Sequence, residues 1–163
     1  MCIRDRGYTS RFLTLTKGTG VINRIFHGYG KFEGEMDGRK NGALISMSTG
    51  KAVAFAIFNL QARGEMFVTH NDPVYEGMIV GLTPKPGDMI INVMKGKQLT
   101  NMRTQGTDEN VVLTPVRQMS IAEQLSMLNT DEALEITPKS LRLRKAILNP
   151  HDRKKSEKSG AAA

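Results

Sequence analysis

Apolar positions along the chain change period several times, and each change marks a different element. Val53, Ala56, Ile57 and Leu60 recur at i, i+3, i+4 and i+7, so residues 51–63 read as an amphipathic helix with Gly64 as its C-terminal cap. The alternation of Val53, Phe55 and Ile57 leaves a strand open at the same place. Ser120-Ile121-Ala122-Glu123 is a Ser-x-x-Glu capping box, in which two side chains satisfy orphan amides of a first helical turn. Ile121, Leu125 and Leu128 would share one face of that helix, which should end near Asn129. Short β-type runs, punctuated by Gly, Pro, Asn and Asp, lie around the helices at 43–46, 66–69, 78–81, 89–94, 111–113 and 133–137. After the turn Pro138-Lys139-Ser140, Leu141 and Leu143 alternate with Arg142 and Arg144, a strand with leucines on the core and guanidiniums outside.

One segment breaks this spacing. Residues 95–110 join two apparent strands through 16 residues, against the roughly two to five of an ordinary hairpin loop, and connections of that length are usually functional or disordered. Lys95, Lys97 and Arg103 make it positive, with no acid before Asp108. Thr100, Asn101, Thr104, Gln105 and Thr107 offer hydrogen bonds to phosphate, ribose 2′-hydroxyl or base edges, and Gly96 and Gly106 permit close backbone approach.

Charge adds a second basic region. The net charge is +7, and residues 139–158 alone hold eight bases against two acids, a balance of +6. Clustering of that kind favours a polyanion through counterion release. Nucleic acid is preferred to membrane because no apolar helical face accompanies the charge. With 163 residues the chain has room for one domain and a fragment of a neighbour. No stretch approaches the roughly 18 apolar residues of a membrane span, and the start lacks a signal-peptide apolar run. The only cysteine, Cys2, closes no intrachain disulfide, which fits a cytoplasmic location.

Catalytic motifs fail on inspection. Gly50-Lys51 is followed by Ala52, and Ile45 stands where a phosphate-cradling loop needs its first glycine. Gly28 and Gly30 lack the third glycine of a dinucleotide fingerprint. His27, His70 and His151 have no paired ligand spacing, and no serine sits in a nucleophile elbow. Glu33, Glu35 and Asp37 read as an exposed acidic turn. The chain is therefore expected to bind and not to catalyse, without metal or cofactor.

Several longer strings carry a family likeness: Leu13-Thr14-Leu15-Thr16-Lys17-Gly18-Thr19-Gly20, Asn41-Gly42-Ala43-Leu44-Ile45-Ser46, Gly50-Lys51-Ala52-Val53-Ala54-Phe55-Ala56, Val74-Tyr75-Glu76-Gly77, Leu99-Thr100-Asn101-Met102-Arg103 and Thr137-Pro138-Lys139-Ser140-Leu141-Arg142-Leu143-Arg144-Lys145. Over residues 12–155 the chain resembles the C-terminal part of the BipA/TypA translational GTPases. The resemblance implies a ribosome-bound, elongation-factor-like protein that aids large-subunit assembly and stress adaptation. Its loop at 95–110 would meet the acceptor end of A-site tRNA, and its body would lie on 23S rRNA. Intact members carry GTP and Mg2+ on a domain that these residues do not match, so GTP hydrolysis does not carry over.

The expected fold is α+β: a mostly antiparallel β domain with two short helices over 31–150, a monomer, preceded by an incomplete split-βαβ fragment like elongation-factor domain V. That remnant, a last helix and a last strand, occupies 11–30. Residues 1–10 depart from the family and read as a non-family leader, the mark of a chain cut and replaced there. Residues 151–163 read as a disordered basic tail. The RNA-binding residues would be Lys95, Lys97, Thr100, Asn101, Arg103, Thr104, Gly106, Thr107, Arg142, Arg144, Lys145, Arg153, Lys154 and Lys155. The rival readings are a protein-interaction module docking on a ribosomal protein or partner domain, and an enzyme with a site built from scattered residues.

Overall fold

The computed structural model describes residues 8–31, 39–96 and 112–160. The fold is α+β, built around β1 (Ala43–Ser46), whose four residues are all buried. β1 pairs antiparallel with β5 (Ile79–Leu82) and parallel with β6 (Met89–Ile91), and β3 (Glu65–Met66) adds to the far side of β5. β1 and β5 are apolar at successive positions because both faces of the sheet are covered. Leu44 and Val80 face the helix α2 (Ala54–Gln61), packing with Ile57 and Leu60. Ala43, Ile45 and Ile79 face the other way, against Leu143 and Leu134 of the hairpin β7 (Glu132–Ile136)–β8 (Leu141–Lys145). An antiparallel bridge between Met78 and Arg144 ties that hairpin to the sheet. A two-stranded pair, β2 (Gly50–Lys51) with β4 (Pro73–Val74), completes the body.

The helices depart from the sequence pattern in instructive ways. α2 begins at Ala54 because Gly50 and Lys51 are drawn into β2 and the Ala52 amide donates to the Asp72 carbonyl. Gly64 is not a left-handed cap, since the helix ends on right-handed Ala62. Gly64 is small because a Cβ there would stand 2.0 Å from the Leu82 carbonyl oxygen. α3 (Ile121–Met127) carries the full capping box, but its buried residue is Gln124, while Ile121 and Leu125 are about half exposed. Of the run at 111–113, Val112 and Leu113 form no strand.

The two ends differ from each other. α1 (Tyr8–Leu15) is followed by residues 16–31 with no strand, and Val21, Ile25, Phe26 and Tyr29 lie exposed. Where a disordered tail was expected over 151–163, residues up to 160 form a helix, α4 (Pro150–Gly160), and 161–163 lie outside the described residues. The Asn149 side chain accepts from the His151 amide at 2.8 Å, Pro150 fills the first helical position, Asp152 lies in the first turn and Lys158 in the last. Each matches what a helix end requires, so the capped ends outweigh the polar composition.

Candidate nucleic-acid interface

Lys95 is exposed just beyond β6, while Lys97, Thr100, Asn101, Arg103, Thr104, Gly106 and Thr107 fall outside the described residues. The described chain before residue 97 and after residue 111 is fastened to α2. The Val53 amide, at the helix start, donates to the Val93 carbonyl at 2.9 Å. At the helix end the Gln61 side chain clasps the Thr114 backbone, donating to its carbonyl at 2.9 Å and accepting from its amide at 3.2 Å. With a rise of about 1.5 Å per residue, those fastenings stand roughly 12 Å apart along the helix axis. A rigid element thus spaces the two stems of the basic segment.

Strand alternation sets the roles of the β8 bases. Arg142 and Arg144 share the face away from Leu143, with Arg142 3.9 Å from Glu135 and Arg144 donating to the Lys145 and Ala146 carbonyls. Tyr75 joins them, its hydroxyl donating to Glu135 Oε2 at 2.6 Å. Burial and then the Glu135 hydrogen bond push the Tyr75 hydroxyl up to about 12. The result is a half-exposed patch of two guanidiniums, one phenol and one carboxylate.

Lys145 does not belong to that patch, which corrects its assignment to RNA binding. It falls on the leucine face, its side chain is only 2% exposed, and its ammonium lies 2.5 Å from Asp88, 2.6 Å from Asp131 and 3.0 Å from Glu132. Glu132 is also held by Arg39, at 2.8 and 3.2 Å, and by the Asn129 amide. Asp88 accepts in addition from the Ala43 amide at 2.8 Å. Burial alone would depress the lysine, but Asp131, Asp88 and Glu132 outweigh it and raise its pKa. Burial alone would likewise raise Asp88, yet Lys145 and the Ala43 amide hold it below the ordinary carboxylate range. The positive charge of Lys145 is spent inside the protein.

On α4, Arg153 turns back to the Ile147 and Leu148 carbonyls at 3.0 and 2.7 Å, anchoring the helix to the chain leaving β8. Lys154 and Lys155 are exposed on the same helix. The structure therefore brings Arg142 and Arg144 together, and no hydrogen bond or ion pair among the described residues joins Lys95 to them or to α4. Sequence reasoning missed Arg39, Asp88 and Gln124. Arg39 and Asp88 gain meaning only through partners far along the chain.

A cavity of about 770 Å³ opens between the sheet, residues 116–119, α3 and the β7–β8 turn. Phe67, Ile79, Met119 and Leu143 are among its apolar walls, and Gln124 lines it. The Gln124 amide nitrogen reaches the Met119 carbonyl at 3.5 Å, while its buried oxygen has no hydrogen-bond partner.

Against known proteins, the family model of the TypA/BipA C-terminal domain matches residues 41–150. A protein of Buchnera aphidicola subsp. Schizaphis graminum called large ribosomal subunit assembly factor BipA is 48% identical over 153 residues, 93% of this chain and 25% of that protein. Proteins of the same name from Salmonella typhimurium and Escherichia coli are 45% identical over 93% and 94% of this chain, again 25% of their own length. The chain thus spans a quarter of the length of these curated relatives.

Proposed function

The chain belongs to the TypA/BipA C-terminal domain family, and from that membership we propose that it is the ribosome-binding module of a translational GTPase acting in large-subunit assembly. It works in the cytoplasm, as a monomer, by contacting 23S rRNA and the acceptor end of A-site tRNA. The observation that carries this reading is the name shared by relatives 45–48% identical over nearly the whole chain, large ribosomal subunit assembly factor. The distribution of charge supports it: Arg142 and Arg144 on one strand face, Lys154 and Lys155 on α4, and Lys95 leading into a basic segment held at both stems. Phosphates would be neutralised by these bases, while Thr100, Asn101, Thr104, Gly106 and Thr107 would meet the single-stranded acceptor end, where shape and 2′-hydroxyls are read. GTP and Mg2+ belong to the GTP-binding part of the intact protein, and no step of this chain requires them.

The test is co-sedimentation with purified large subunits across a salt series. An RNA contact weakens linearly in log K against log salt. Replacing Lys97 and Arg103 together by alanine should cost on the order of 1–3 kcal/mol of binding. Affinity that stays flat as salt rises would reject the RNA reading in favour of docking on a ribosomal protein or partner domain.

A further inference from the structure

The C-terminal helix α4 has an asymmetry that its uniformly polar composition conceals. We propose that α4 lies along the phosphate backbone of double-helical RNA, presenting Lys154, Lys155 and Lys158, with the His151 imidazole in line, as one rigid row. The proposal rests on the RNA-binding reading and deepens it: it names the form of RNA that this end of the chain takes, and it makes the helix, not the charge alone, the recognising feature.

Helical periodicity sorts the side chains of α4. His151, Lys154, Lys155 and Lys158 recur at i, i+3, i+4 and i+7, which places them within an arc of about 100° and in a row roughly 10 Å long. All four are exposed. None of the three ammonium groups takes part in an ion pair or hydrogen bond among the described residues. The acids Asp152 and Glu157 occupy helical positions outside the arc. Arg153 lies on the far side, where it donates to the Ile147 and Leu148 carbonyls at 3.0 and 2.7 Å. The root of the helix is fixed as well. A Cβ on Gly77 would stand 2.7 Å from the Leu148 Cα, so the chain entering α4 passes hard against the turn at Tyr75–Met78, and the Asn149 side chain caps the first turn at 2.8 Å. One side of α4 is thus fastened and the other carries the charge.

Chemistry selects the ligand. The row offers cations and no means of reading bases. α4 has no Phe, Tyr or Trp on which a base could stack, and its serine hydroxyls are turned back to the Arg153 and Ser156 carbonyls at 2.8 and 2.9 Å. A membrane surface is disfavoured because α4 has no Leu, Ile, Val, Met or Phe to bury in it. What remains is a ligand recognised through an array of negative charge alone. In an RNA duplex the bases are turned inward and the phosphates are held at a fixed pitch, so a rigid row of ammoniums meets a rigid row of anions and neither has to be ordered on binding. A flexible single strand would first have to be straightened along the helix, at a cost in entropy.

The experiment is a fluorescence-anisotropy titration of the 163-residue chain across a salt series with three labelled probes: an RNA duplex of about 16 base pairs, oligouridylate of the same strand length, and oligoglutamate of that length. The duplex should bind most tightly. Replacing Lys154, Lys155 and Lys158 together by glutamine should reduce the slope of log K against log salt by roughly 2–3, about one per ammonium. Lys155→Ser combined with Ser156→Lys keeps composition and helix but moves one cation off the row, and should reduce that slope by about one. Ser156→Pro keeps the charge and breaks the helix, and should weaken duplex binding about tenfold. Far-UV circular dichroism reports the loss of α4, and thermal melts show that the sheet body of each variant is intact. Duplex affinity unchanged by Ser156→Pro, or a salt slope unchanged by the residue exchange, overturns the rigid row. Oligouridylate or oligoglutamate binding as tightly as the duplex overturns the assignment to double-helical RNA. Either result leaves salt-dependent co-sedimentation with large subunits through Lys97 and Arg103 standing, so failure of the α4 site is distinct from failure of the RNA-binding reading.

Discussion

The Lys145 side chain is almost wholly out of water, and three carboxylates and an arginine decide what that burial costs. Removing one member of a buried, hydrogen-bonded charge set leaves the others unpaired, so Lys145→Met should destabilise the fold by about 3–5 kcal/mol, read as a fall in urea midpoint. The pH profile follows from the two shifts. Asp88 titrates below its ordinary range, so its contribution is present above that range and is lost as pH falls through the depressed value. Lys145 titrates above its ordinary value, so its contribution is present below that value and is lost as pH rises through the raised one. Stability measured by denaturation against pH should therefore show a plateau through neutrality with losses at both ends, and Asp88→Asn should flatten the acid limb. The burial of Lys145 was legible in part: the alternation that puts Leu141 and Leu143 inside continues to position 145. Its partners were not, because Asp88 and Asp131 sit in turns whose positions depend on the whole sheet.

Among elements, the ends of helices were more readable than their faces. The capping box at Ser120 and Glu123 is present, with the Ser120 amide donating to Glu123 at 3.0 Å and the Glu123 amide to Ser120 at 3.3 Å. Asn149 performs the matching role for α4. Ser120→Ala and Asn149→Ala should each cost about 1 kcal/mol, the second accompanied by a loss of helical circular dichroism confined to one element. The signal for α4 was present in Asn149-Pro150-His151-Asp152, but the polar composition of the tail drew the reading toward disorder. The face of α3 was misjudged because periodicity names the most apolar side and not the side that meets a neighbour. Ile121 and Leu125 form the apolar row, yet the neighbouring segment lies on the side of Gln124.

At the scale of the molecule, the layered body of sheet, α2 and hairpin contrasts with residues 19–31, where four large apolar side chains are left in water and no strand forms. A strand without neighbours has no ladder to protect its amides. Hydrogen exchange at 21–26 should therefore run near the rate of an unstructured peptide, while amides of β1 exchange only through global opening. Strong protection at 21–26 in the monomer would show that this segment has found a partner surface. The α+β body was legible because its strands are short apolar runs bounded by Gly, Pro, Asn and Asp. The parallel pairing of β6 with β1 was not, since a parallel neighbour leaves no turn signature between its strands.

The ion network also bears on how long the folded state lasts. Arg39 and Glu132 are 93 residues apart in sequence, and they meet only once the sheet and hairpin are both in place. Closing a contact across so long a stretch of chain costs loop entropy before it is rewarded, and weakening it should accelerate unfolding to the extent that it forms after the folding transition state. The buried lysine and its carboxylates thus act as a latch on the lifetime of the folded domain.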